Sequence, residues 1–157
     1  MREVDETDRR ILAVLIDNSK TQLKRLSRSL GIHPNTLLQR LKRLEQENIL
    51  LKYSAVVDFN KIDRSMQASI FLDIDMTRSW EETLRPLAKL PEVVSFSIIT
   101  GDHDALVIAR VKNERHLGEL MKRFQATRVV KKTTAHLVVD AYKVSYEYNP
   151  LRDELRF

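Results

Sequence analysis

Residues 30–44 read Leu30-Gly31-Ile32-His33-Pro34-Asn35-Thr36-Leu37-Leu38-Gln39-Arg40-Leu41-Lys42-Arg43-Leu44. Gly31 suits the left-handed backbone conformation that closes a helix, because it has no Cβ to clash. Pro34 suits the first position of a new helix, where its missing N–H costs nothing. Leu37, Leu41 and Leu44 then recur at i, i+4 and i+7, one apolar stripe of that helix. Two helices joined by a tight turn containing glycine are the layout of a helix-turn-helix.

The flanking sequence extends this reading. Leu23, Leu26 and Leu30 fall at i, i+3 and i+7 on the preceding helix, with Thr21 placed to cap it. Further upstream, Asp5-Glu6-Thr7-Asp8 sets carboxylates at the positive end of a first helix. Ile11, Leu12 and Leu15 form its stripe, thickened by Val14 and Ile16, and Asp17-Asn18-Ser19 breaks it. Downstream, Asn48 tolerates the left-handed conformation and is the expected stop of the third helix. Residues 49–57 are β-rich, as the wing of a winged variant requires.

The outward face of the third helix carries the chemistry. With Leu37, Leu41 and Leu44 inward, Asn35, Gln39 and Lys42 point away; Arg43 and Thr36 flank them, and Arg40 and Leu38 lie nearer the edges. Asn and Gln can pair bidentately with adenine in the major groove, and Arg with guanine. Between Lys20 and Tyr53 stand Lys20, Lys24, Arg25, Arg28, Arg40, Lys42, Arg43 and Lys52, against only Glu45 and Glu47. Alone, such a run reads as a solvated face; coinciding with a helix-turn-helix, it predicts double-stranded DNA as partner. The candidate DNA-binding residues are Lys24, Arg25, His33, Asn35, Thr36, Gln39, Arg40, Lys42 and Arg43, with Lys24, Arg25, Arg28 and Lys52 suited to phosphates.

Composition removes other classes. The chain has 157 residues, 31% charged and 43% hydrophobic, with net charge +5. It has no cysteine, which excludes disulfide scaffolds, Cys-containing zinc sites and thiol catalysis. Only three glycines argue against Gly-rich phosphate loops. No apolar run approaches the ~18 residues of a membrane span. The N-terminal MREVDETDRR has no apolar signal region, so a cytoplasmic location and no membrane partner are expected.

Beyond residue 60 the periodicity changes. Ile70, Leu72, Ile74 and Met76 share one face of a strand running from Met66, with Ser69, Asp73 and Asp75 opposite and Phe71 interrupting the polar side. Ser79 is placed to cap a helix from Trp80 to Leu90, with Trp80, Leu84 and Leu87 inward and Pro91 as its end. Residues 93–100 and 105–111 read as a hairpin turned by Gly101-Asp102-His103-Asp104. A helix through Leu117, Leu120, Met121 and Phe124 follows, and residues 129–142 form the last strand. The order β-α-β-β-α-β is ferredoxin-like. The predicted class is therefore α+β: a winged helix-turn-helix (1–60), a ferredoxin-like βαββαβ domain (61–148) and a C-terminal tail (149–157). Both helices cover one sheet face. An uncovered apolar face is an exposed patch, so a homodimer is expected.

In these residues the chain resembles the Lrp/AsnC, or feast/famine, family of prokaryotic transcription regulators. The likeness spans nearly the whole chain. It is carried by Val4-Asp5-x-x-Asp8-x-x-Ile11-Leu12, by Leu30-Gly31-Ile32-x-x-x-Thr36-Leu37-x-x-Arg40-Leu41-x-Arg43-Leu44-Glu45 followed by Ile49, and by the Gly-x-x-Asp turn Gly101-Asp102-His103-Asp104. The resemblance implies a sequence-specific DNA-binding regulator that dimerises through its second domain and assembles to tetramers or octamers. A two-fold dimer implies a pseudo-palindromic operator. The resemblance also implies an amino acid or related metabolite bound between subunits, near the turn and the last strand: Gly101, Asp102, His103, Asp104, Thr133 and Thr134. The residues offer no nucleophile–base pair, no phosphate loop and no strong metal set, so neither enzymatic activity nor a cofactor is expected. His33 stands where the family often has Ser, Asn48 where Gly is usual, His103 where an aromatic is frequent, and Thr133-Thr134-Ala135 where Thr-x-Thr or Thr-x-Ser is common.

Other readings of single residues remain beside these. Asp102, His103 and Asp104 suit turn chemistry and effector lining; with His136 or His116 they also sketch a metal set. His136 reads as packed or interfacial, and Trp80 as a core anchor. Tyr142, Tyr146 and Tyr148 read as tail packing, and the tail from Asn149 as partly disordered. A different function class also fits the second domain: a small-molecule-binding regulatory subunit of a metabolic enzyme.

Overall fold

A computed structural model describes residues 3–62, 66–143 and 148–152. It divides into two compact units, residues 57–141 and the segments on either side of them.

The flanking unit holds three helices, α1 (Glu6–Asp17), α2 (Leu23–Leu30) and α3 (Pro34–Gln46). Asp5 and Asp8 form a reciprocal capping box on α1: the Asp8 N–H donates to the Asp5 carboxylate at 2.9 Å, and the Asp5 N–H to that of Asp8 at 3.1 Å. Gly31 closes α2 in the left-handed conformation, with φ 66°. Pro34 opens α3 behind His33, whose Nδ1 accepts the Asn35 N–H at 3.2 Å. Asn48 is left-handed too, with φ 55°. Ile11, Leu15, Leu26, Leu30, Leu37, Leu41 and Leu44 are the buried core. Each such side chain is worth about 1.5–3 kcal/mol of burial.

Three expectations for this unit change. Thr21 does not cap α2; its hydroxyl donates to the Asn18 carbonyl at 2.9 Å, because it lies one residue too early and Gln22 takes the capping position. Leu23 and Ile16 are 42% and 43% exposed, so the apolar stripes are narrower than their spacing suggested. Residues 51–58 form no strand. The N–H groups of Ile49 and Leu50 both bond the Leu44 carbonyl at 2.9 Å, and among the described residues no second strand lies beside the segment. The tail also behaves differently. Asn149 Nδ2 donates to the Ala13 carbonyl and to Asp17, both at 2.9 Å, tying the tail to the end of α1. Tyr142 is 99% and Tyr148 63% exposed, so this polar contact, rather than those two aromatics, docks the segment. Tyr146 and residues 153–157 lie outside the described residues.

The second unit is a four-stranded antiparallel sheet of β1 (Met66–Ile74), β2 (Val93–Ile98), β3 (Ala105–Val111) and β4 (Val130–Leu137), in the order β2-β3-β1-β4. With α4 (Trp80–Leu84) after β1 and α5 (Glu114–Gln125) after β3, this is the ferredoxin-like arrangement. Ile70, central in β1, sits opposite both Val107 and Ala135. The buried faces of β1 and β3 pack on Leu117, Leu120 and Phe124 of α5 and Leu84 of α4.

The predicted helix 80–90 is broken. α4 ends at Leu84 and a 3-10 turn holds Leu87–Lys89. Pro86 lies between them; it has no N–H to continue the ladder and its ring crowds the preceding turn. Ser79 occupies the capping position without a side-chain cap bond, and its carbonyl instead accepts the Thr83 hydroxyl at 3.1 Å. Met76 lies past the end of β1 and is 46% exposed rather than part of the core face. β4 stops at Leu137, opposite Ala68, not at residue 142; one further bond, from the Val138 N–H to the Gln67 carbonyl at 2.9 Å, brings it to the start of β1.

Candidate nucleic-acid interface and ligand site

α3 presents two edges of opposite character. On one, Asn35, Leu38, Gln39 and Lys42 are exposed at i, i+3, i+4 and i+7, a single ridge. Among the described residues, no protein group takes the side-chain amide of Asn35 or Gln39. His33 and Thr36 at the helix start are exposed as well, as are Lys24 and Arg25 on α2.

The other edge faces α1. Arg40 Nη1 lies 2.8 and 2.7 Å from the two Asp5 carboxylate oxygens and 2.8 Å from Asp8 Oδ1. Arg43 Nη2 bonds Asp8 Oδ2. The Asp8 side chain is wholly buried, and those of Arg40 and Arg43 are 25% and 20% exposed. The hydrogen bond from Arg40 holds the Asp5 carboxyl down at about 2, and the same bonds raise Arg40 above its ordinary value. The structure thus places Arg40 and Arg43, two of the DNA-binding candidates, in a clamp between α1 and α3. A buried carboxylate is costly unless it is paired with a cation, and this edge supplies two. The sequence signal is complementary spacing: two aspartates at i, i+3, the cap and first turn of one helix, and two arginines at i, i+3 on another.

In the second unit, the turn candidates separate. Gly101 adopts φ 117°, open to glycine alone without strain. Asp102 is exposed. Asp104 is spent on the backbone: its Oδ2 accepts the Ile74 N–H at 2.7 Å, and its own N–H donates to the Leu72 carbonyl at 3.0 Å. His103 turns to the sheet face opposite the helices. There its ring lies 4.9 Å from that of Phe71, and its Nδ1 is 2.7 Å from Asp73 Oδ1. His136 meets the same Phe71 edge-on at 5.7 Å. Thr134 pairs with Phe71 across the strands, whereas Thr133 faces the helices and accepts from Gln125 Nε2 at 2.7 Å. The structure thus brings His103 and Thr134 together and sends Thr133 and Asp104 elsewhere. Phe71 and Asp73 join the cluster unforeseen, although their alternation with Ile70 and Leu72 placed them on this face. No group of three or more metal-ligating side chains occurs among the described residues.

Comparison with known proteins matches both units. A model of the Lrp/AsnC ligand binding domain matches residues 67–148, and one of winged helix-turn-helix DNA-binding matches residues 4–50. The chain belongs to the Lrp/AsnC family. It is an Lrp/AsnC-type helix-turn-helix transcription regulator with a ligand-binding domain. The HTH-type transcriptional regulator FL11 of Pyrococcus horikoshii is 28% identical over 92% of this chain and 95% of its own length. A transcriptional regulator from Neisseria meningitidis, solved as a complex with L-Met, is 26% identical with TM-score 0.83, over 90% of this chain and 94% of that one. Escherichia coli AsnC, 20% identical, shares the fold with TM-score 0.82 over 91% of this chain and 97% of its own. In this Lrp/AsnC regulator, among the described residues, no helix is long and apolar enough to cross a membrane.

Proposed function

We propose that this regulator binds a pseudo-palindromic operator as a homodimer, or as a tetramer or octamer built from dimers, and that a small amino acid or related metabolite tunes that binding. The observation that carries the DNA half is the ridge of α3, exposed and without side-chain partners among the described residues, amide-rich and basic, with no acidic residue before Glu45. The N-terminal part of such a helix contacts base edges in the major groove. Asn35 and Gln39 are the readers, with His33, Thr36 and Lys42 beside them, and Lys24 and Arg25 hold phosphates. The half-buried apolar groups Phe71, Leu106 and Ile108 on the open sheet face support a second copy as its cover. The His103–Phe71–Thr134 cluster lies on that face, beside Gly101 and Asp102. A ligand there would touch both subunits and couple occupancy to assembly. The Neisseria relative makes L-methionine the first probe. Such a regulator works in the cytoplasm, where its DNA is.

Selection of genomic fragments by the purified chain at about 150 mM salt, where non-specific binding is weakened, tests this. A shared palindromic motif supports it, and no enrichment overturns it. Lys24→Ala is expected to weaken binding to every sequence and to make the salt slope shallower by about one. An unchanged slope removes Lys24 from the phosphate set.

A further inference from the structure

We propose that α3 reads A·T base pairs at the centre of its contact, through Asn35, Leu38 and Gln39, and makes no arginine–guanine contact in the half-site. The inference rests on the DNA-binding reading above and adds the base class.

Both arginines of the helix are committed elsewhere. Turning Arg43 or Arg40 toward DNA would strip cations from Asp8, a carboxylate with 0% exposure, and a buried charge left alone is strongly disfavoured. What remains on the exposed ridge is chemically narrow. Asn35 and Gln39 are one turn apart and both exposed. Each offers an acceptor oxygen and an N–H donor in the spacing that fits adenine N6 and N7. Leu38 lies between them on the ridge and is 47% exposed, although it is a leucine. An apolar side chain at that place has nothing to gain from phosphates or water, but the C5-methyl of thymine is an apolar group on the floor of the major groove. Lys42 stands one turn further along, away from the helix N-terminus that approaches the bases, and suits a phosphate. His33 has its Nδ1 occupied by the Asn35 N–H.

The test uses the full chain and makes its main changes in the DNA, where protein folding does not intrude. A half-site is selected from random duplexes and rebuilt with 7-deazaadenine, 7-deazaguanine or deoxyuridine at one symmetric position at a time. The expected half-site holds adjacent A·T pairs at which 7-deazaadenine lowers affinity about tenfold, the loss of one hydrogen bond of a bidentate pair. Deoxyuridine for thymidine costs a smaller factor there, and Leu38→Ala abolishes that sensitivity. 7-Deazaguanine has no effect at any position. A tenfold loss with 7-deazaguanine and none with 7-deazaadenine overturns the inference while leaving the regulator reading intact. Failure to select any motif overturns the regulator reading itself, and the inference with it.

Discussion

The two units of this regulator neutralise buried carboxylates in different ways. In the helix-turn-helix unit, Asp8 is met by two guanidinium groups. In the ferredoxin-like unit, Glu92 is met by His116 Nε2 at 3.0 Å and, more distantly, by Arg123 at 3.7 Å. Arginine keeps its charge at every accessible pH and binds carboxylates with a rigid fork. Imidazole offers a carboxylate a single N–H from one ring nitrogen, with no fork to fix the angle. The contrast suits the two tasks. A helix that reads bases must hold one angle, whereas a unit that senses a ligand gains from contacts that can be adjusted.

Removing the clamp is the largest expected perturbation. Asp8→Ala leaves two cations without their buried partner and should destabilise the helix-turn-helix unit by about 3 kcal/mol or more. Asp5→Ala, at a half-exposed carboxylate that also caps α1, should cost about 1 kcal/mol. Hydrogen exchange separates the units: protection in α1 and α3 should fall while that in β1 and β3 stays. Equal losses in Asp8→Ala and Asp5→Ala would show that burial does not distinguish the two aspartates. In the other unit, Asp104→Ala removes a charged acceptor from the Ile74 N–H and should cost about 1–3 kcal/mol. The loss should appear in β1 exchange. If β1 protection is unchanged, Asp104 is free to serve a ligand after all, and the division between structural and ligand-facing turn residues collapses.

Where sequence and structure agree, the cause is local. Gly31, Pro34 and the leucine spacings of α2 and α3 fix the helix-turn-helix because each residue constrains only its own backbone or one helical face. The order of strands and helices is likewise local patterning, and pairing followed from it. What the spacing could not show depended on a distant partner. Arg43 looked outward on a helical wheel because the wheel contains no α1, and the carboxylate that recruits it stands 35 positions away. Likewise, the turn does not reveal that β1 ends beside Asp104, whose carboxylate accepts the Ile74 N–H. The break at Pro86 is the exception, a local signal that competes with the apolar spacing of Leu84 and Leu87.

The smallest predicted effect sharpens the comparison through acid. Asp5 has an ordinary value of 3.8 and is held at about 2 in the folded chain, chiefly by its hydrogen bond from Arg40. Burial alone would raise Glu92, but the bond from His116 and the charges of Arg123 and His116 hold it below its ordinary 4.5. Both folded values are depressed, so both carboxylates stabilise the fold above their unfolded values and surrender that contribution as pH falls. Glu92 begins to lose it below 4.5, whereas Asp5 begins below 3.8 and has lost it by about 2. Trp80 is the single tryptophan of the chain, so its fluorescence follows the ferredoxin-like unit, while far-UV circular dichroism includes the three N-terminal helices. Urea midpoints measured from pH 5 down to 2 should therefore drop first in fluorescence and later in the helical signal. Asp5→Asn should erase the later phase and leave the Trp80 profile unmoved. If it shifts both signals together, the two units do not titrate separately and the contrast between a fixed clamp and an adjustable one loses its physical basis.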